Sequence, residues 1–347
     1  MATDIDLMLV QDALRRVPFL AGAEPDRTSL FRLAGLTNRV YRLDAFGEKF
    51  CIRLPGKGTE AYIDRKVEAV NARAAAAAGV SPAVLFFDEA SGLMVTRFLD
   101  GVTTMTPERL RTTEGAPARA ARALRTLHVS GQAFAFRFEL FAKIDEYLKV
   151  LAGLEGVELP KGYHEVVKEA GAVRDALDAH PVPLAPCHCD PLCENFLDAG
   201  LRMWIVDWEY SGMNDPMWDL GDLSVEAGFG PDHDRELLEA YFEGPATPFD
   251  HGRMVIYKAM CDLLWTLWGL IQHANRNPAD DFQAYATTRF TRCKSLMADA
   301  SFPRHLAAIA AGPNGAAAPS ARAPDPDPVA SLSGLIVRGR KPEGQAR

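Results

Sequence analysis

The chain has 347 residues, 48% hydrophobic and 24% charged, and a formal net charge of -8. This balance supports a buried core and a prior of about two lobes. An acidic chain without a broad basic surface is poorly matched to nucleic acid or an anionic membrane, and better matched to a cationic ligand.

Residues 1–10 carry Asp4 and Asp6 and no basic flank, so a signal peptide is not expected. Six cysteines without a secretory signal read as reduced thiols of a cytoplasmic protein. Leu7, Val10, Leu14 and Val17 have helical spacing. Strands are expected at 30–33, 39–43 and 50–54, with a turn at 34–38 and a stop at the PGKG of 55–58. Thr59 is the expected N-cap of a helix over 60–78, with Ile63, Val67, Val70 and Ala74 facing inward and Gly79 ending it. Two more strands, 83–87 and 93–98, complete a compact sheet unit over 1–100.

After Asp100-Gly101 the pattern turns helical, at 107–127, 138–151, 163–179 and 253–273. The apolar stretch 254–271 is interrupted by Lys258 and Asp262, which argues for a buried helix and against a membrane span. From 313 to 347, Pro, Ala, Ser and charge dominate. This segment is expected to be disordered, with 332–337 as a docking segment. The second lobe is expected over 101–312.

The chemistry concentrates in 187–221. HCDPLCEN, His188 to Asn195, precedes a hairpin that enters after Asn195 and leaves at Asp207. Cross-strand neighbours lie about 5 Å apart. Two oxygen donors at that separation suit Mg²⁺, and Asp190 sits on the loop just before them. A carboxylate that accepts a hydroxyl proton, beside two metal ligands, is what phosphoryl transfer requires. Asp190 is therefore the expected base, and Asn195 and Asp207 the expected ligands. A set of caps and turns is the bland alternative. His188 is expected to brace the loop. Cys187, His188, Cys189 and Cys193 lack paired CxxC spacing, so packing is favoured over structural zinc. Asp215 and Asp219 are expected to hold loop backbone.

HCDPLCEN with IVDWEY, 205–210, resembles the catalytic and metal-binding loops of the choline/ethanolamine kinase and aminoglycoside phosphotransferase superfamily. SGMNDPMWDLGDL, 211–223, is most similar to its bacterial choline kinase-like members. LAGLTNRVYRL, 33–43, resembles the nucleotide-covering loop, and FCIRLPGKGT, 50–59, the basic strand and its turn. The resemblance spans roughly 25–275. It implies an α+β, two-lobed protein-kinase-like fold, with a small antiparallel-sheet lobe, a larger helical lobe, and ATP and Mg²⁺ in the cleft. Arg53 would take the place of the third-strand lysine and pair with Glu68. Thr37 and Asn38 would border the nucleotide, and Thr96, Phe98 and Leu99 would line the adenine hinge. A solvated ion pair is the alternative for Arg53 and Glu68.

All five tryptophans lie between Trp204 and Trp268. Trp265 and Trp268 share a helix face, with Tyr257 on the same helix, and aromatic faces attract quaternary ammonium. Simple core packing is the alternative. By its spacing from DLGDL, Glu226 matches an acceptor-binding glutamate of the resembled family, and Glu209 is a second candidate. AGFGP, 227–231, lacks the aromatics expected nearby. The implied acceptor is a small cationic alcohol such as choline. Ethanolamine, thiamine, an aminoglycoside and a ligand-sensing pseudokinase remain open, as do monomer and homodimer.

Overall fold

The structure is a computed structural model. It describes residues 2–313 except 34, 36–37, 57–58, 60–62, 155 and 278–279. Helix α1 (Asp4–Leu14) begins at a capping box between Thr3 and Asp6. It is followed by β1 (Leu30–Arg32), β2 (Arg39–Ala45), β3 (Glu48–Leu54), α2 (Arg65–Ala77), β4 (Val84–Asp88) and β5 (Leu93–Arg97). These strands form one antiparallel sheet in the order β1-β2-β3-β5-β4. Val10, Leu14 and Leu20 cover one sheet face through Leu30, Tyr41, Leu43, Ile52 and Val95, giving this part its own core. The Tyr41 hydroxyl donates to Asp6 at 2.6 Å, which satisfies the polar groups beneath α1.

Helix α2 starts later than the sequence suggests. Asp64, not Thr59, is its cap, accepting from Lys66 N at 2.9 Å and Val67 N at 3.2 Å. Thr59 instead donates to Gly56 O and accepts from Arg65. The inward stripe is rotated as well. Val70 is exposed, while Glu68, Asn71, Ala72 and Ala75 are buried. Two polar side chains sit inward because their partners lie elsewhere in the chain. Asn71 donates to Ser211 O at 2.8 Å and accepts from Ala135 N at 2.8 Å.

The remainder is mainly helical: β6 (Thr103–Thr104), α3 (Pro107–Thr112), α4 (Ala116–His128), α5 (Leu140–Ala152), α6 (Tyr163–Ala179), β7 (Ala185–Cys187), β8 (Phe196–Asp198), β9 (Met203–Ile205), β10 (Gly212–Asn214), α7 (Pro216–Ala227), α8 (Pro231–Phe242), α9 (Pro248–Ala274), α10 (Phe282–Met297) and α11 (Phe302–Ala311). The single helix expected over 107–127 is two, because Gly115 adopts a left-handed conformation (φ 66°) and Pro117 starts a new first turn. β8 and β9 form the expected hairpin, with Phe196 opposite Ile205, and β6 joins its edge. α9 is the central post, packed by α5, α7, α10 and α11. Among the described residues it is the one helix long and apolar enough to cross a membrane, and it is 83% buried over its most apolar window. It is therefore the core of the helical part. The tail expected to be disordered, with its docking segment, lies outside the described residues, apart from Pro313.

Candidate active site

The loop between β7 and β8 is held by one carboxylate. Asp219, on α7, accepts from His188 N at 2.7 Å and Cys189 N at 2.9 Å, and lies 3.0 Å from His128 Nε2. His188 is fully buried, and its Nε2 donates to Val206 O at 2.9 Å. Burial lowers its proton affinity, so it holds the loop as a neutral ring. Cys187 and Cys189 pack with Ala185 and Phe138, and Cys193 joins the main core. Asp215 caps α7 and accepts from Arg253 Nε at 3.0 Å and the Tyr257 hydroxyl at 2.9 Å. Tyr257 is buried, with Trp218 against its ring, so it serves the α7–α9 contact.

Asp190 follows directly. Its main-chain oxygen accepts from Asn195 Nδ2 at 3.2 Å, which leaves the Asn195 amide oxygen for a ligand. Burial raises the proton affinity of Asp190, and the nearby charges of Glu226 and Asp207 raise it further, to about 8. Past the hairpin, Asp207 sits in a left-handed conformation (φ 71°) just after β9. Burial and the charge of Glu209 hold its carboxyl well above the usual range, against the opposing pull of Arg53. A carboxylate and an amide oxygen are the hard donors Mg²⁺ prefers, and a crowded acid is relieved by a cation, so these residues fit that ion.

Two arginines face this corner. Arg53, on β3, is ion-paired with the fully buried Glu68 on α2 and reaches Asp207 at 3.4 Å and Glu209 at 3.6 Å. Arg65 was not foreseen. It bridges Glu68 and Glu209, each at 2.6 Å, and donates to Thr59. Glu209 is thus occupied by arginines. The geometry excludes a solvated surface pair for Arg53 and Glu68, since both are buried. Asn38 is also buried, its Oδ1 accepting from Gly56 N at 3.2 Å, so the loop after β1 is tied to the end of β3. Thr37 lies outside the described residues. Thr96 is buried opposite Cys51, Phe98 donates its N–H to Lys49 O at 3.2 Å, and the chain leaves the sheet at the half-buried Leu99.

The aromatic wall is larger than the sequence indicates. Trp265 and Trp268 meet edge-to-face at 5.8 Å, and Trp268 also meets Phe282 at 5.3 Å and Tyr285 at 5.8 Å. The last two come from α10, so the wall is built between helices. Arg289, one turn after Tyr285, lies over that ring and pairs with Glu226 at 2.5 Å. Asp222, one turn before Glu226, is buried and accepts from Cys261 Sγ. A Phe-x-x-Tyr-x-x-x-Arg spacing on a helix was the available signal for the α10 residues. Arg65 had no such signal, because the partner that ties it to this corner, Glu209, lies 144 residues later.

The profile of the phosphotransferase enzyme family matches residues 30–257. Among solved structures, a choline/ethanolamine kinase family protein from Mesorhizobium loti is 62% identical with a TM-score of 0.81, over 88% of this chain and 99% of that one. The choline kinase LicA from Streptococcus pneumoniae is 25% identical with a TM-score of 0.67, over 84% and 98%. Ethanolamine kinase 2 from Mus musculus is 26% identical across 299 residues, covering 78% of this chain and 76% of that protein. With most of its length inside the family profile and a kinase-like fold of sheet lobe and helical lobe, the chain belongs to the phosphotransferase enzyme family, as a phosphotransferase with an alcohol acceptor in the choline/ethanolamine kinase branch.

Proposed function

We propose that the protein transfers the γ-phosphoryl group of ATP to the hydroxyl of choline, in the cytoplasm and with Mg²⁺. One observation carries this reading: Asp190 lies within electrostatic reach of both Asp207, at the arginine corner, and Glu226, beside the aromatic wall. A base between a phosphate end and a cation end is the arrangement the transfer needs. Asp190 takes the hydroxyl proton as the acceptor oxygen bonds to phosphorus, and the bond from phosphorus to the ADP oxygen breaks. Arg53, held by Glu68, steadies the phosphate chain, with Arg65 bracing that pair. Asn195 and Asp207 hold the metal, which when bound neutralises phosphate charge. Asn38 and the hinge from Thr96 through Phe98 to Leu99 border the nucleotide. Glu226, Trp265, Trp268 and Tyr285 receive the acceptor's cation.

Choline is favoured over ethanolamine by the state of Glu226. Its charge is already paired with Arg289, whereas a primary ammonium needs several acceptors for its N–H groups. A trimethylammonium needs only apolar and aromatic faces. Ethanolamine is the second reading. It is favoured by Asp222, a second carboxylate with its ligand atom within 4.8 Å of that of Glu226. ADP release measured with choline, ethanolamine, thiamine and an aminoglycoside, with and without Mg²⁺, tests both. Choline is expected to show the highest kcat/KM, and only with the metal. A higher value for ethanolamine would replace the first reading with the second, and no turnover on any acceptor would remove the enzymatic reading.

A further inference from the structure

Asp262 interrupts the long apolar helix α9, and nothing in the proposed transfer uses it. It is buried on α9, one turn before Trp265. A lone carboxylate there would be costly to bury, so its partners define its purpose. Arg292, on α10, grips it with two bonds, from Nε at 3.0 Å and from Nη2 at 2.6 Å. Arg289, one turn earlier on α10, donates to it at 3.3 Å. Nη1 of Arg289, the atom that reaches Asp262, is also the one 2.5 Å from Glu226 on α7. Arg292 additionally reaches the carbonyl oxygen of Val225, the residue before Glu226, at 3.5 Å. Three helices that carry acceptor-site side chains therefore meet at one carboxylate.

We propose that Asp262 is a positioning residue for the acceptor site, acting through Arg289 to fix the carboxylate of Glu226 beside the aromatic wall. The inference rests on Glu226 belonging to that site. Without Asp262, Arg289 keeps one carboxylate partner instead of two, and its long side chain regains rotamer freedom. Glu226 then loses a fixed counter-ion and its orientation towards the acceptor. Asp262 itself touches neither nucleotide-side arginine, so the effect belongs to the acceptor half of the reaction alone.

The alternative is that the cluster merely joins three helices. A double-mutant cycle separates the two. Steady-state kinetics with choline and ATP are measured for wild type, Asp262→Asn, Glu226→Gln and the double variant, with melting temperatures alongside. Positioning predicts that Asp262→Asn raises the choline KM roughly tenfold, while the ATP KM and kcat stay within about twofold. It also predicts that the same substitution changes the choline KM by less than about twofold once Glu226 is Gln. An equal factor in both backgrounds, or no change in choline KM in either, overturns the proposal. A choline KM unmoved by Glu226→Gln shows instead that the acceptor-site reading is wrong, and takes the proposal with it. If Asp262→Asn does not fold, Arg292→Lys, which keeps the charge but loses the two-bond grip on Asp262, is put through the same cycle with the same outcomes.

Discussion

Asp190, the proposed base, has surroundings that favour its proton. Its carboxyl, ordinarily near 3.8, is pushed up to about 8 by burial and by Glu226 and Asp207. In the free enzyme the reactive, ionised form grows as pH rises towards 8, so kcat/KM should climb through that range. A cation bound at Asn195 and Asp207 favours ionisation, so the limb measured on kcat at saturating Mg²⁺ and ATP should lie at lower pH. Initial rates from pH 5.5 to 9.5 check this, and coincident limbs would contradict it. Stability moves the other way. Between about pH 4 and 8 the folded chain holds a proton on Asp190 that the unfolded chain has lost, so the stabilisation present below pH 4 disappears as pH rises through 8. Asp190→Asn should cut turnover by roughly 10²–10⁴-fold. It should also raise the melting temperature of the ligand-free protein at pH 8 by about 2–4 °C or more. At pH 4 the two proteins should melt together.

At the scale of elements, helix contacts without room for a methyl group shape the site. A Cβ on Gly221 would lie 2.9 Å from Met254 O and 3.0 Å from the Tyr257 Cβ, so α7 and α9 approach with backbone against backbone. Gly221→Ala should cost about 1–3 kcal/mol in denaturant unfolding, because backbone cannot step aside. Gly269 is the corresponding point between α9 and α10, where a Cβ would lie 2.9 Å from the Tyr285 ring and 3.1 Å from the Ala286 Cβ. Gly269→Ala should displace Tyr285 from the aromatic wall, raising the choline KM more than the ATP KM. Equal KM values for mutant and wild type would count against an acceptor role for that wall. Asn71 ties α2 to the loops at Ser211 and Ala135. Its replacement by Ala leaves buried groups unpaired, at a cost of about 1–3 kcal/mol per group.

Across the whole molecule, the sheet and the helical part meet through charge. Arg53 on β3 reaches Asp207, 154 residues later, and Arg65 on α2 reaches Glu209. With Glu68, Asp207 and Glu209 all ionised, the two arginines of that junction leave one negative charge in excess, so a divalent cation bound there, by favouring ionised Asp207, should strengthen the junction. ATP with Mg²⁺ at about 100 times its Kd should stabilise the protein by about 2.7 kcal/mol, with a large part of that shift lost in EDTA. Thermal melts with and without chelator check this, and an ATP shift indifferent to EDTA would argue against metal held by Asn195 and Asp207.

Much of this was legible in the linear pattern, because it depends on neighbours in sequence. The β8–β9 hairpin follows from apolar runs around a tight turn, and the loop holding Asp190 from a motif of eight residues. Tyr163–Ala179 emerges with the bounds its periodicity indicates. What the chain alone left undecided are pairings between distant segments. The burial of Glu68 and Asn71 on the inward face of α2, the grip of Arg65 and the link from Asp262 through Arg289 to Glu226 depend on which helices come to lie side by side. Local periodicity reports which face of a segment is apolar. Only the packed structure decides which charge that face will meet.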